Sequence, residues 1–433
     1  MSHLSRRQLL SAALALGITP VPALAQLPMA RKLVVVLADG GWDSSFTLDP
    51  KFHSDLVEGP QVDEDPDDPD DREALRTFGN LPIATNAVKR PAVTRFFERY
   101  APHCALVHGI WMGAIAHKTA RVRILTGTHT QANPAWAAIA GHELGTDTPI
   151  GSFVLSAPAF AGELAASMGQ LGRRGQLRAI LSPEDTFPAP DGADWTLPLF
   201  RPDPTDHQRI ASHLQARHRA FLDRVKTGGH NERLLRAREE AMDRGQRIRV
   251  EGAEAIDNLV LGPQPTLNRQ VVLAADLLEH GLCHAVTLGS QTLSWDTHNN
   301  NVPQHKLWNQ LFQGLEKLAD ELVARDLLDE TLVVVTSELT RTPTRNNSLG
   351  KDHWPHTCAL LFGGNTVGNR VVGQTDDRLE SLPVDLRTGE VVRGGAFNKY
   401  DNFAAGVLAA LDVDPGRWLP GVEPFTAFFG SRP

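Results

Sequence analysis

Cysteine is scarce in this sequence. Only 3 cysteines occur among 433 residues, at positions Cys104, Cys283 and Cys358. A sparse and odd number of cysteines excludes a disulfide framework. Each cysteine lies beside an apolar run, so we expect all three to be buried as small hydrophobic side chains.

An excess of positive charge is also missing. The 51 aspartates and glutamates outnumber the 43 lysines and arginines, which gives a net charge of −8. The arginine-rich segment 236–249 is interleaved with acidic residues, as on a solvated helix face. Binding to nucleic acid requires clustered lysines and arginines. We therefore expect no nucleic-acid partner.

Long apolar runs are absent after the N-terminal segment. A transmembrane helix needs about 20 apolar residues, and no later segment has them. Residues 1–25 combine a basic start, a short Ala/Leu-rich stretch and a small-residue exit, which is typical of a signal peptide. The pair Arg6-Arg7 indicates twin-arginine export. We expect a periplasmic or secreted protein that is carried by the twin-arginine machinery and is not integral to a membrane.

Short apolar runs are present, and they indicate strands. Continuous β-branched runs bounded by glycine or polar residues are typical of strands that are buried on both faces. Five such runs are Leu33–Leu37, Ala105–Val107, Ala285–Leu288, Thr331–Thr336 and Ala359–Phe362. Leucines at helical spacing predict a helix over His305–Leu328. The alternation predicts an α/β fold with a mainly parallel central sheet and helices on both faces.

The predicted domain organisation is simple. Residues 26–433 form one domain, in which the polar, proline-containing segment 151–262 is interpreted as a helical cap or insertion lobe. The acidic run Asp63–Asp71 contains two prolines and no glycine at a turn position. We therefore interpret this run as a solvated loop and not as a calcium site.

Acidic, hydroxyl and histidine side chains follow the predicted strands, where open α/β sheets place their sites. Asp39 and Asp43 follow the first strand, and two glycines between them allow a sharp turn. His117, a candidate metal ligand, opens a predicted helix together with Thr119. Free N–H groups at a helix start would make that hydroxyl a suitable nucleophile toward an anionic ester. Taken singly, each residue could instead be a turn or capping residue.

Two further clusters lie in the second half of the chain. Asp296 and His298 are two residues apart, so in extended chain their side chains point the same way and could share one metal. The segment after the run Thr331–Thr336 adds four candidate ligands: Glu338, Asp352, His353 and His356. Mixed carboxylate and imidazole sets suit Zn²⁺, Mn²⁺ or another divalent ion. Two such ions about 4 Å apart would clamp a phosphoryl or sulfuryl group. Each cluster alone could also be a structural turn.

These motifs resemble those of the bacterial family called domain of unknown function 1501, which belongs to the alkaline phosphatase and sulfatase superfamily. The resemblance covers nearly the whole chain after the signal peptide. The segments that carry it are Gly40-Gly41-Trp42-Asp43, His117 through Gly127, Trp295-Asp296-Thr297-His298, Ser337-Glu338-Leu339-Thr340-Arg341-Thr342 and Gly350-Lys351-Asp352-His353.

The resemblance implies roles for these residues. Asp43, or Asp39, would bind the first metal, and Thr119 would take the nucleophile's place. The other implied ligands come from later loops: Asp296, His298, Glu338, Asp352 and His353. Arg341 would recognise substrate charge. Phosphatases of the superfamily tend to have Asp-His where this chain has Glu338, so one imidazole would come from His353 or His356. No Cys-x-Pro-x-Arg sequence is present, which disfavours a formylglycine sulfatase mechanism.

The function that follows is an exported, metal-dependent hydrolase of phosphate or sulfate esters. It would use one or two divalent ions, Zn²⁺, Mn²⁺ or Ca²⁺, and its substrate would be a small anionic ester or an envelope glycan. Thr119 or a water would attack in line, while Arg341 and the metal neutralise the developing charge. Two alternatives stay open: a transferase that moves phospho groups onto envelope glycans, and a non-catalytic exported protein that is stabilised by a metal.

Overall fold

The structure is a computed structural model that describes residues 30–145, 147–170, 204–222, 235, 239, 242–245, 247–248, 266–289 and 294–430. The predicted signal peptide, residues 1–25, lies outside the described residues and stays a prediction. Among the helices of the described part, none is both long and apolar enough to cross a membrane.

An eight-stranded sheet forms the centre of the described chain. In chain order the strands are β1 (Lys32–Leu37), β2 (Glu73–Phe78), β3 (Leu81–Asn86), β4 (Cys104–Trp111), β5 (Ser152–Val154), β6 (Met168–Gln170), β7 (Ala285–Gly289), β8 (Thr331–Thr336), β9 (Thr340–Arg341), β10 (His353–Trp354), β11 (His356–Phe362) and β12 (Arg370–Val372). β2 pairs with β3 and β9 with β10, and the others form one sheet in the order β12-β4-β11-β8-β1-β7-β5-β6.

The sheet is mainly parallel. β1 lies between β7 and β8 and is parallel to both, with Leu33 opposite Ala285 and Leu332. β5, β6 and β12 are also parallel to their neighbours. β11 alone is antiparallel to the strands beside it, β8 and β4. All five predicted strands are present, so the predicted α/β fold class is confirmed.

Helices cover both faces of the sheet. They are α1 (Pro91–Tyr100), α2 (His117–Thr126), α3 (Trp136–Leu144), α4 (Pro204–Leu222), α5 (Leu267–Glu279), α6 (Pro303–Ala324) and α7 (Tyr400–Ala410). Val34 and Val36 of β1 pack in one core cluster with α1, α5 and α6. Leu33, Val35 and Leu37 pack in a second cluster with α2, α3 and α7. Because successive side chains of a strand point to opposite faces, β1 is apolar at every position from Leu33 to Leu37.

Two sequence-based boundaries need correction. The helix predicted over His305–Leu328 is α6, which ends at Ala324 because Leu327 and Leu328 are buried in the turn that leads into β8. The predicted lobe 151–262 begins inside the sheet, since β5 and β6 pair with each other and β5 pairs with β7. Any lobe therefore starts after Gln170. Most of the remaining lobe lies outside the described residues, and its role as a cap stays a prediction.

The three cysteines are buried and free, as the sequence predicted. Burial raises the pKa of each thiol, because the thiolate loses its hydration. A buried thiol with a raised pKa is chemically inert. The cysteines are therefore part of the core.

The acidic run Asp63–Asp71 is not a solvated loop at its two ends. Asp71 is buried and forms an ion pair of 2.5 Å with Lys89. Burial alone would raise the pKa of Asp71, but the hydrogen bond from Lys89 lowers it to about 2. At the other end, Asp63 accepts a hydrogen bond of 2.7 Å from Arg345. The partners come from distant parts of the chain, so the local sequence could not reveal them.

His305 of α6 joins this acidic run to the β2–β3 hairpin. Its Nε2 lies 3.2 Å from Asp63, and its Nδ1 contacts Arg90, which is ion-paired with Glu73. A guanidinium can only donate, so Nδ1 accepts from Arg90 and Nε2–H donates to Asp63, which is the pattern of a neutral imidazole. Burial lowers the pKa of His305 and Arg90 adds to this effect, whereas Asp63 and Glu73 oppose it.

The protein is therefore expected to lose stability as the pH falls from about 7 to about 5.5. An unfolded histidine binds a proton near its ordinary pKa of about 6.5, whereas folded His305 resists protonation. The stabilisation is complete above the unfolded pKa and is lost below it. Denaturant unfolding at the two pH values measures the effect, which should be smaller in His305→Gln. His53→Gln, at an exposed position, is the control, and an unchanged pH dependence in His305→Gln would contradict the prediction.

Candidate metal centre

Several segments that are distant in sequence meet at one edge of the sheet. The carboxyl ends of parallel strands lie at the same edge, so the residues that follow β1, β7 and β8 are neighbours there. α2 begins at the same edge, because it follows β4. β11 runs in the opposite direction, and its beginning therefore brings β10 to this edge as well.

Three side chains at this edge form a group that could hold a metal ion, and we call it the metal group. Ligand atoms of His117, Asp296 and His353 all lie within 4.8 Å of one another. Nε2 of each histidine is 3.5 Å from a carboxylate oxygen of Asp296. Both nitrogens are buried and have no hydrogen-bond partner. A buried polar atom without a partner is costly, and a cation held between these three residues would satisfy both nitrogens.

His117 is held by Glu338 through its other ring nitrogen. Nδ1 lies 2.7 Å from Oε1 of Glu338, which is fully buried at the end of β8. Glu338 also accepts hydrogen bonds from the backbone N–H of Gly40, at 2.9 Å, and from the hydroxyl of Ser337, at 3.2 Å. A carboxylate that accepts from Nδ1–H leaves Nε2 as a free lone pair, as in the carboxylate–histidine–metal arrangement of many proteins. Glu338 was predicted as a ligand, and the structure places it behind His117.

Asp296 is fixed by a buried arginine. Nη2 of Arg341 donates to Oδ1 of Asp296 at 2.9 Å, and Nδ1 of His298 contacts the same oxygen. Burial alone would raise the pKa of Asp296, but the hydrogen bond and the charge of Arg341 lower it to about 2. Asp296 is therefore a carboxylate at neutral pH, as a metal ligand must be.

His353 is positioned by the short β9–β10 pair, in which it lies opposite Arg341. Its ring packs edge-on against those of His117 and His298, with centroid distances of 4.1 Å and 4.4 Å. Burial lowers the pKa of His353, and the charges of His117, Arg341 and His298 act in the same direction, against a hydrogen bond with the backbone of Ile115. The imidazole is therefore neutral, which is the form that binds metals.

Arg341 has no exposed surface, and its donors are directed at the protein. It donates to the carbonyls of Gly41, at 2.7 Å, of Trp295, at 2.8 Å, and of Lys351, at 3.0 Å. A Cβ on Gly41 would lie 3.4 Å from this guanidinium, and Gly41 has a φ of +83°. The predicted role of Arg341 in binding substrate charge is not what the structure supports. Arg341 ties the loops after β1 and β7 together.

The loop that carries Asp296 is anchored on both sides. Trp295 packs edge-on against Trp308 of α6, at a centroid distance of 5.2 Å, and Trp308 stacks on Trp42 at 4.8 Å. On the other side, a Cβ on Gly350 would lie 1.9 Å from the carbonyl oxygen of His298, so only glycine fits there. Anchored neighbours reduce the freedom of Asp296 and preorganise the metal group.

Asp43 lies in a separate, fully buried network. Its Oδ2 forms an ion pair of 2.8 Å with Lys351 and accepts a hydrogen bond of 2.8 Å from Asn301. Its Oδ1 accepts from the backbone and the hydroxyl of Ser45, at 3.2 Å and 2.6 Å, and so caps the turn after β1. With these partners the carboxylate has no free oxygen for a metal, and the predicted role of Asp43 as a ligand gives way to a structural one.

The structure brings two other predicted ligands to different places. Asp352 is exposed and accepts a hydrogen bond of 3.0 Å from Asn346. His356 contacts the hydroxyl of Ser381 at 2.6 Å, and burial lowers its pKa to about 4 in spite of the charge of Asp376. These contacts place Asp352 and His356 outside the metal group.

Thr119 is exposed in the first turn of α2. Each helical residue turns the chain by about 100°, so residues two apart lie on roughly opposite sides of the helix. His117 uses the side that faces Asp296. Thr119 therefore leaves the helix on the other side, which does not favour it as a nucleophile at the metal group.

The sequence motifs did not identify Arg121 as a site residue, although it lies four residues after His117 on the same helix face. Its Nε is 2.5 Å from Oδ1 of Asp39 and 4.0 Å from Oε1 of Glu338, the residue that holds His117. Its Nη2 is buried and has no hydrogen-bond partner. Asp39, a predicted ligand, is therefore paired with Arg121. The i, i+4 spacing from His117 is the signal that could have identified Arg121.

The donor set of the metal group fits a borderline divalent ion. Two imidazole nitrogens and one carboxylate are ligands of Zn²⁺ and Mn²⁺, whereas Ca²⁺ is bound by oxygen atoms. Among the described residues this is the one group of histidine, cysteine and acidic side chains with such spacing. The predicted divalent cofactor is thus consistent with the donor atoms, and Ca²⁺ is the poorest match to them.

Comparison with protein families confirms the resemblance noted in the sequence. The family described as Protein of unknown function (DUF1501) matches residues 30–415. The chain belongs to this DUF1501 family. No curated protein sequence matches it. The metal group and its supporting residues all lie within the DUF1501 region.

Solved structures similar to this DUF1501 chain include hydrolases. A protein of the alkaline phosphatase superfamily from Vibrio parahaemolyticus is 10% identical with a TM-score of 0.41, covering 99% of this chain and 80% of that one. The PsFucS1 sulfatase from Pseudoalteromonas sp. has the same identity and TM-score, with coverage of 99% and 77%. A mutant of the alkaline phosphatase PafA is 8% identical with a TM-score of 0.43, covering 93% and 99%.

Proposed function

We propose that this DUF1501 protein is an exported, metal-dependent hydrolase of phosphate or sulfate esters. The observation that carries the proposal is the pair of buried, unpartnered Nε2 atoms of His117 and His353, which face the single carboxylate of Asp296. Three protein ligands with an open position are typical of catalytic and not of structural metal sites. Export, and with it a periplasmic or secreted location, rests on the sequence of residues 1–25.

The residues present would hold Zn²⁺ or Mn²⁺ and keep the ligands in their binding forms. When bound, such an ion would act as a Lewis acid that polarises an ester oxygen and increases the acidity of water. Glu338 keeps the proton of His117 on Nδ1, and Arg341 keeps Asp296 ionised and oriented. Both supporting groups are fully buried, so the geometry is prepared before the substrate arrives.

Water is the nucleophile that the geometry favours. In the hydrolysis, the oxygen of a water bonds to phosphorus or sulfur, the bond to the alcohol oxygen breaks, and the alcohol leaves with a proton. Thr119 does not face the metal group, so no covalent intermediate on this hydroxyl is needed. Small anionic esters are the proposed substrates, and an envelope glycan ester is a further candidate.

The proposal is tested with purified protein loaded with Zn²⁺ or Mn²⁺. We expect release of nitrophenolate from at least one of 4-nitrophenyl sulfate, 4-nitrophenyl phosphate and bis(4-nitrophenyl) phosphate. A chelator should stop turnover, and added metal should restore it. Product appearing only when an alcohol acceptor is supplied would support a transferase instead. Metal-loaded protein that turns over none of the three esters, with or without an acceptor, would contradict the proposal and favour the non-catalytic alternative.

A further inference from the structure

We propose that the site selects esters that carry a single negative charge and discriminates against dianionic phosphate monoesters. This inference rests on the proposed function and names the substrate class of the same site. It follows from the charges that the structure places around the metal group and from the one guanidinium nitrogen there that has no partner.

Three carboxylates lie within the metal group or beside it. Asp296 accepts a hydrogen bond of 2.9 Å from the guanidinium of Arg341. Glu338 accepts hydrogen bonds from the backbone N–H of Gly40 and the hydroxyl of Ser337, and it contacts Nδ1 of His117. Asp39 completes the set through its ion pair with Arg121.

Two guanidinium groups oppose these three carboxylates. Arg341 contacts Asp296 at 2.9 Å, and Arg121 contacts Asp39 at 2.5 Å. A histidine binds a metal as the neutral imidazole, so His117 and His353 add no charge as ligands. The fixed groups therefore leave one net negative charge. One divalent ion converts this to one positive charge, which a monoanionic ester would neutralise.

A dianionic ester would leave an uncompensated negative charge in a site that is mostly closed to water. The side chains of His117 and His353 are 14% and 18% exposed, and Glu338 is fully buried. Unpaired charge in such surroundings is costly. This selection holds for a site with a single divalent ion, because a second divalent ion would raise the net charge and favour the dianion.

Arg121 is the group that would contact the anion. Its Nε is occupied by Asp39, but its buried Nη2 has no partner. Arg341 cannot take this role, because its donors are used on Asp296 and on backbone carbonyls. Arg121 lies one helical turn after His117, so the guanidinium and the metal group approach the substrate from the same side of α2.

Binding of inert analogues tests the inference without relying on turnover. Benzylsulfonate is a monoanion, and benzylphosphonate is a dianion at about pH 9, well above the second ionisation of such groups. The monomethyl ester of benzylphosphonate is a monoanion that keeps the phosphorus atom, so it separates charge from element. Isothermal titration calorimetry on the metal-loaded protein should show both monoanions binding about tenfold more tightly than the dianion.

Two variants test whether Arg121 is responsible for the tighter binding of the monoanions. Arg121→Gln should keep its bound metal but lose about tenfold in affinity for both monoanions. Arg121→Lys keeps the charge and should retain the preference for monoanions. Arg123→Gln is the matched control, because Arg123 donates instead to the carbonyl of Met112 and lies over the ring of Tyr400.

The outcomes separate this inference from the proposed function. Equal or tighter binding of benzylphosphonate would overturn the charge selection while leaving a metal-dependent hydrolase intact. Loss of monoanion affinity in Arg123→Gln but not in Arg121→Gln would overturn the role of Arg121. Metal-loaded protein that binds none of the three analogues would contradict the proposed function itself.

Discussion

Asp296→Ala is expected to lose most of its affinity for Zn²⁺ and Mn²⁺, whereas Asp352→Ala should bind metal like the wild type. Asp296 is the one carboxylate of the metal group and lies 3.5 Å from Nε2 of both His117 and His353. Outer partners of metal ligands alone are worth about 10–100-fold in affinity, so loss of a direct ligand should exceed about 100-fold. Asp352 is exposed and hydrogen-bonded to Asn346.

The pair of variants is matched, since both remove a carboxylate that the sequence placed in the same centre. Competition with a chromophoric chelator gives the affinity, and plasma mass spectrometry gives the metal content. Circular dichroism checks that each variant is folded, and Asp296→Asn replaces the alanine variant if that variant is not. Equal loss in Asp296→Ala and Asp352→Ala would contradict the separation of these residues. Full metal content in Asp296→Ala would remove the metal group from the proposal.

The sequence predicted the fold well because its strands are buried on both faces. The run Leu33–Leu37 is apolar at every position, and the structure shows why, since each face of β1 packs against its own layer of helices. The direction of β11 could not be predicted, because the run Ala359–Phe362 is equally compatible with either direction. That direction matters, since it brings His353 to the edge where the other strands end.

The candidate site was predicted in part. Asp296 and His117 follow parallel strands, and the rule that sites form at carboxyl ends was sufficient to select them. Asp352 and His353 are neighbours, and adjacent residues in extended chain point to opposite faces. Only one of them could join the centre, and the sequence gives no reason to prefer the histidine.

Contacts between residues that are distant in the sequence could not be predicted from local sequence patterns. The sequence motif placed Glu338 near the metal group, as the structure does. The motif could not show that Glu338 contacts Nδ1 of His117 and so supports a ligand. Lys351 has no local feature that marks it as the buried partner of Asp43. A carboxylate in a motif predicts a positively charged partner. The motif does not distinguish a metal ion from a lysine.

Asp43→Ala is expected to reduce the free energy of unfolding by about 3–5 kcal/mol, because it leaves a buried ammonium without its partner. Asp43 and Lys351 both have no exposed side-chain surface and are 2.8 Å apart. Asp43 also caps the turn at Ser45 and accepts from Asn301. Denaturant unfolding of the metal-free protein measures the loss separately from any effect of metal binding.

The double variant Asp43→Ala/Lys351→Met tests whether the unpaired ammonium of Lys351 causes the loss of stability. Removing both charges from a buried pair costs less than removing one, so the double variant should be more stable than Asp43→Ala alone. The exposed pair Arg76–Glu98, with side chains 46% and 51% exposed, supplies the control, and Glu98→Ala should cost less than about 1 kcal/mol. If refolded Asp43→Ala binds metal with an affinity close to that of the wild type, the role of Asp43 is structural. A stable Asp43→Ala that has lost its metal would return Asp43 to the ligand set and contradict its assignment to the Lys351 pair.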